Sequence, residues 1–212
     1  MKGLLLKEYY QLKHSIKSQG FSLILFAVLG VVMKSTVYVG MMVTILITNM
    51  VLLTMGYDEH SSWKQYAMTM PLRRRDLITV KFILLYLLTI GSVLFTALIG
   101  IPINLIGDIP MIEGVVTAIG CGFFAMMSMS INIALCTKFG VEKARLMTVV
   151  SYLIPLAIIF GSFYLVDHGI VVLDTLSNGI QIGILVGLAM LVFGVTLLMW
   201  KISCKIIEGQ DL

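Results

Sequence analysis

Ionisable side chains are missing from most of this chain. Only 12% of its 212 residues are Asp, Glu, Lys or Arg, against roughly 25% in soluble domains. None of these, and no histidine, falls inside six apolar windows at residues 18–33, 35–57, 82–107, 114–137, 146–166 and 175–200. Ion-coupled transporters and proton pumps keep ionisable groups at membrane depth, because a charge costing roughly 2.5 to 3.5 kcal/mol there is retained only for a pathway or relay. Such chemistry is therefore disfavoured. His14, His60 and His168 stand in three separate flanking regions without H-E-x-x-H spacing, which argues against an intramembrane metalloprotease. A serine or cysteine hydrolase would lack its general base. No G-x-x-x-x-G-K-[ST] run occurs, so the chain does not cradle ATP phosphates by that means. Cysteine is sparse as well. Cys121, Cys136 and Cys204 share no C-x-x-C spacing and lie in or beside apolar windows, which predicts small apolar filler rather than a disulfide framework or a metal site.

What fills the chain instead is hydrocarbon, with 59% hydrophobic residues and a mean hydropathy of +1.02. The sequence predicts one all-α integral membrane domain over residues 1–212. Each window can cross a core about 30 Å thick, which takes about 20 helical residues. The first is the shortest, lying between Lys17 and Lys34, and suffices if both lysines snorkel to the headgroups. The polar N-terminus lacks the pattern of a cleaved signal peptide, so this first span is expected to stay. Fourteen of the fifteen Lys and Arg residues fall at the N-terminus, between windows two and three, between windows four and five, and after window six, leaving Lys34 alone on the opposite side. That asymmetry predicts six spans with both termini cytoplasmic. It also accounts for a pI near 9.0 through topology and anionic lipid, with no nucleic acid partner needed.

Within the windows, Gly179, Gly183 and Gly187 recur every four residues, as do Gly114, Ala118 and Gly122, a spacing that lets helix backbones approach closely in a bundle or a dimer. Pro102 and Pro155 interrupt the third and fifth windows as kinks or as hinges. Embedded polar residues include Thr44, Thr48, Asn49, Asn104, Ser128 and Asn132. Interhelical hydrogen bonds, at about 0.6 kcal/mol each, explain most residues of this kind. The alternative for Asn49, Asn104, Ser128 and Asn132 is a neutral cargo path. Met126, Met127 and Met129 suit core packing or an adaptable apolar cavity. Ahead of the first window, Leu4, Leu5, Tyr9, Leu12 and Ile16 fall on one side of a short helix and Lys2, Lys7, Lys13 and Lys17 elsewhere, fitting a helix in the membrane interface or a solvated tail.

Residues 58–81, DEHSSWKQYAMTMPLRRRDLITVK, form the most charged connection. Ser62 and Gln65 have capping-box spacing, and Trp63, Tyr66, Ala67 and Met70 then share one apolar face of a short helix that Pro71 ends. Arg73, Arg74 and Arg75 follow, with Asp76 at the start of the next helix, where a carboxylate is favourable. Periodicity leaves two readings open: a topology-setting loop with an aromatic anchor, or a lever offered to a cytoplasmic partner. The loop resembles that of the small permease subunits of type 2 ABC exporters, in which a Trp-x-x-Tyr helix precedes a Pro, basic residues and a Lys opening the next span. Here these are Trp63, Tyr66, Pro71, Arg73, Arg74, Arg75 and Lys81. The opening MKGLLLKEYYQLK and the overall length are similar to that family too.

The resemblance implies that Ser62, Trp63, Lys64, Tyr66, Met70, Pro71, Arg73, Arg74, Arg75 and Asp76 form a coupling loop seated on a separate ABC-type ATPase subunit. That subunit would hold ATP and Mg, and this chain would bind no cofactor. The resemblance further implies an interfacial elbow helix at the N-terminus and a dimer with itself or a sister permease. It implies export of an amphipathic or hydrophobic cargo, peptide or lipid-like, across a bacterial plasma membrane. The connection 167–178 looks too short for the extracellular gate helices of larger members. Two other classes remain open at this point: a substrate-capture component of an uptake system, which would bind a vitamin-like ligand with no ATPase present, and a non-transport immunity or assembly protein, whose deletion would leave cargo flux unchanged.

Overall fold

Backbone surrounded by lipid has to satisfy its own hydrogen bonds, and the long apolar runs of this chain do so as helices. The computed structural model describes residues 2–33, 35–69, 73–107, 111–167 and 178–209. Among them run α1 (Lys2–Met33), α2 (Thr36–His60), α3 (Trp63–Met68), α4 (Arg74–Gly107), α5 (Met111–Phe139), α6 (Val141–Asp167) and α7 (Asn178–Glu208). Lys34, Met70, Pro71 and the connection 168–177, on which parts of the topology and loop readings fall, lie outside the described residues.

Among the described residues, four segments are long and apolar enough to cross a membrane: Thr36–His60, Arg74–Leu105, Ile112–Phe139 and Val186–Glu208. A fifth is α1 if its two arms, Gly3–Lys17 and Gln19–Met33, meeting at 55°, count as one bent span. In α6 the apolar stretch is the shorter Leu146–Ala157. Pro102 and Pro155 both sit inside helices.

The central post is α5, two thirds of whose apolar window is buried by its neighbours. Small residues allow this. A Cβ on Gly114 would run into the Asn104 side chain, and one on Gly122 into Val93, so this glycine row lets α5 close against α4, with Ala118 fully buried between them. Gly187 on α7 differs, since a Cβ there would meet nothing within 4 Å. Around α5, Met50, Val51, Met55, Phe82, Leu85, Met129 and Ile133 build the main core. Cys121, Cys136 and Cys204 are buried, unbridged thiols. On the outer side of α4, Leu87, Ile90, Leu94 and Leu98 form an exposed helical stripe suited to hydrocarbon.

The N-terminal arm differs from its sequence reading. Leu4, Glu8, Leu12 and Ser15 are its buried face, whereas Tyr9 and Ile16 are exposed. Steps of four and three residues govern the packing, and they bring a carboxylate inward.

Candidate functional site

Helices longer than the charge-free windows carry charge into the bundle. Window two ends at residue 57 but α2 runs on to His60, and window three begins at residue 82 but α4 starts two turns earlier at Arg74. Asp58 and Lys81 are thereby helical and only 6% exposed each, and Glu8 from α1 is 3% exposed. Reading these charges as the edges of a loop missed a buried cluster.

Lys81 is its centre. The Nζ atom donates to Glu8 Oε1 at 2.7 Å on α1 and to Thr54 Oγ1 at 3.0 Å on α2. It also pairs with Asp58 Oδ2 at 2.7 Å. An ammonium has three donors, and all three are used to tie three helices. Lys7 adds a second cation, bonded to Glu8 Oε1 at 3.1 Å and paired with Asp58, to which Gln11 Nε2 donates at 3.2 Å. Two cations thus face two carboxylates, so the group is neutral as a whole, the condition under which buried charge is tolerated. Glu8 Oε2 has no partner among the described residues, and a cavity of about 30 Å³, room for one water, is lined by Glu8, Asp58, Trp63 and Lys81.

The short helix α3 rests on this cluster. Lys7 Nζ lies 4.9 Å from the Trp63 ring centre, a cation–π contact, and Trp63 and Tyr66 pack ring to ring at 5.5 Å. Ala67 is buried, while Gln65, Tyr66 and Arg73 are exposed. The expected capping box is not formed. Ser62 is in the left-handed region at φ 51°, where its side chain makes no capping bond, and Gln65 N–H reaches the Ser62 carbonyl instead at 3.1 Å. A capping hydroxyl needs extended backbone. Asp76 does lie in the first turn of α4.

The same end of the bundle gathers the other polar segments. Arg75 pairs with Glu208 at the last turn of α7, with Nη2 3.2 Å from Oε2, and Arg74 Nη1 donates to the Glu208 carbonyl at 3.4 Å. Glu59 Oε2 accepts the Val141 N–H at 2.6 Å, capping α6 from the tip of α2. Gly140, at φ +81°, is the single residue between α5 and α6. The N-terminal arm, the end of α2, the start of α4, the α5–α6 turn and the end of α7 therefore share one face.

The embedded polar residues lie deeper. Asn104 Oδ1 accepts from Thr36 Oγ1 at 2.7 Å, Asn132 Nδ2 donates to Ser151 Oγ at 2.6 Å, and Asn49 Oδ1 accepts from Tyr152 OH at 3.4 Å. These bonds join α2 to α4, α5 to α6, and α2 to α6. Ser128 Oγ donates within its own helix, to the Phe124 carbonyl at 2.8 Å. Asn49 also lines a cleft of about 330 Å³ between α2, α5 and α6, with Tyr57, His60 and Thr148 at its polar points. A second cleft of about 260 Å³, walled by Met41, Phe124, Met127, Pro155 and Leu188, is almost wholly apolar.

A continuous match runs through these elements: the family described as ABC-2 family transporter protein covers residues 3–208, from the arm that carries Glu8 to the end of α7. The chain belongs to the ABC-2 transporter family. It is a multi-pass membrane protein and the permease component of an ABC transporter. Comparison of this ABC-2 permease with curated proteins and with solved structures returned no match.

Proposed function

We propose that this permease is the membrane half of an ATP-driven exporter, working as a dimer with itself or a sister permease and driven by a separate ABC-type ATPase that holds ATP and Mg. In this reading six spans cross a bacterial plasma membrane, both termini are cytoplasmic, and the charged end of the bundle faces the ATPase. The observation that carries it is the placement of α3, whose Trp63 is held against the Lys7 ammonium while Gln65 and Tyr66 on the same helix, and Arg73 just before α4, are exposed. That is a small rigid surface backed by buried charge, suited to receiving a push. Among the described residues, no Asp, Glu, Lys or Arg lines either cleft, which favours an amphipathic or hydrophobic cargo, peptide or lipid-like, over an ionic one.

Copurification with the candidate ATPase tests the reading. Wild-type permease should retain the ATPase through gel filtration, and Arg73→Glu should weaken that association tenfold or more. Arg73 is the informative arginine, because reversing Arg75 also removes its bond to Glu208. Failure of the wild-type chain to hold any ATPase, or labelling of Gln65→Cys only from the exterior face of intact cells, would overturn the reading.

A further inference from the structure

A buried ion cluster is a poor device for stability alone, because well-packed apolar side chains of similar volume are often as stable or more so. Its place in this bundle is specific. Lys81 stands on the helix that leaves the α3 connection, Asp58 and Thr54 on the helix that enters it, and Glu8 on the N-terminal arm. Lys7, bonded to both carboxylates, reaches across to the Trp63 ring. A continuous path of contacts therefore runs from α3 through Lys7 and the carboxylates to Lys81: the first link is a cation–π contact and the others are ion pairs or hydrogen bonds.

We propose that Lys81 is a positioning residue for transport: its three bonds clamp α1, α2 and α4 into one unit beneath α3, so that displacement of α3 carries the N-terminal arm with it. The proposal rests on the reading of α3 as the surface that receives ATPase motion. Without the clamp, α3 would move on its two connections while the arm stayed behind. The clamp works through α3 and touches no cargo.

Spin labels on Lys13→Cys and Gln65→Cys, both exposed positions in a chain whose native cysteines are buried, report the distance between arm and α3 in nanodiscs. The decisive variant is Lys81→Met with Glu8→Gln, which removes the clamp and keeps the cluster neutral. We expect a narrow distance distribution in the parent, at least a doubling of its width in the double variant, and retention of the narrow form in Lys81→Arg. Lys7→Met, at the partly exposed rim, leaves the three bonds of Lys81 intact and should broaden the distribution less. If the double variant fails to fold, Lys7→Met with Glu8→Leu, which also keeps the cluster neutral and removes the bond of Lys81 to α1, serves as the test. Widths equal to the parent's in every folded variant would overturn the clamp. These measurements use the permease without its ATPase, so they judge the clamp independently of the proposed function. In the ATPase complex, nucleotide should leave the distance between arm and α3 unchanged in the parent and change it in the double variant. An unchanged distance in the double variant would also overturn the clamp, whereas failure of the unlabelled permease to hold the ATPase would count against the proposed function, since Gln65 itself lies on the surface assigned to that partner.

Discussion

Replacing Lys81 by Met should cost about 3–5 kcal/mol of stability, the range for leaving a buried ion without its partner. Methionine matches the length of the lysine stem, so loss of packing is small and the effect is electrostatic. Glu8 and Asp58, both under a tenth exposed, would share Lys7 as their one cation among the described residues, and Thr54 would lose a hydrogen-bonding partner. Adding Glu8→Gln removes the surplus negative charge and should recover most of the loss. Denaturant titration of the purified chain in detergent measures both. A loss below about 1 kcal/mol, the scale of an exposed pair, would show that the carboxylates reach water and that the cluster is not sealed.

Gly140→Val should destabilise the chain by about 2–4 kcal/mol. Two costs add. Left-handed backbone at φ +81° costs an L-residue roughly 1–2 kcal/mol, and most for a β-branched one. A Cβ at this position would also sit 2.8 Å from Glu59 Oε1, pushing the carboxylate off the Val141 N–H that it caps at 2.6 Å. Loss of a cap costs about 0.5–2 kcal/mol. Glu59→Ala isolates the second cost and should show only the smaller loss, while Gly140→Asn, a residue that tolerates left-handed backbone, should fall between the two. Equal stability of Gly140→Val and the parent would mean that the turn rearranges without strain.

The helices were legible because hydrocarbon imposes them, and α2, α4 and α5 contain their windows almost unchanged. Helix ends were not, since a window closed at the first charge stops where lipid stops, whereas the backbone continues until its hydrogen bonding fails. That difference hid the cluster. Lys81 looked like the flank of a span, although it lies two turns inside α4. Thr54 and Asp58 are one helical turn apart, a spacing visible in the sequence, yet nothing local announces that Glu8, some fifty residues earlier, completes the site. The α3 helix was foreseen, but its start was attributed to a side-chain cap, where the backbone of Ser62 turns left-handed. Nothing near Arg75 in the sequence points to Glu208, more than a hundred residues away, to which the fold brings it. Pairings of this kind need the topology first.

Asp58 and Glu59 are neighbours in sequence, and a helix places successive side chains about 100° apart. At the tip of α2 one of them holds the group on α1 and α4, and the other holds the start of α6. Twisting α2 to ease either grip strains the other, so this helix is a shaft pinned on two sides. Rotation of its tip therefore bears on α1, α4 and α6 together.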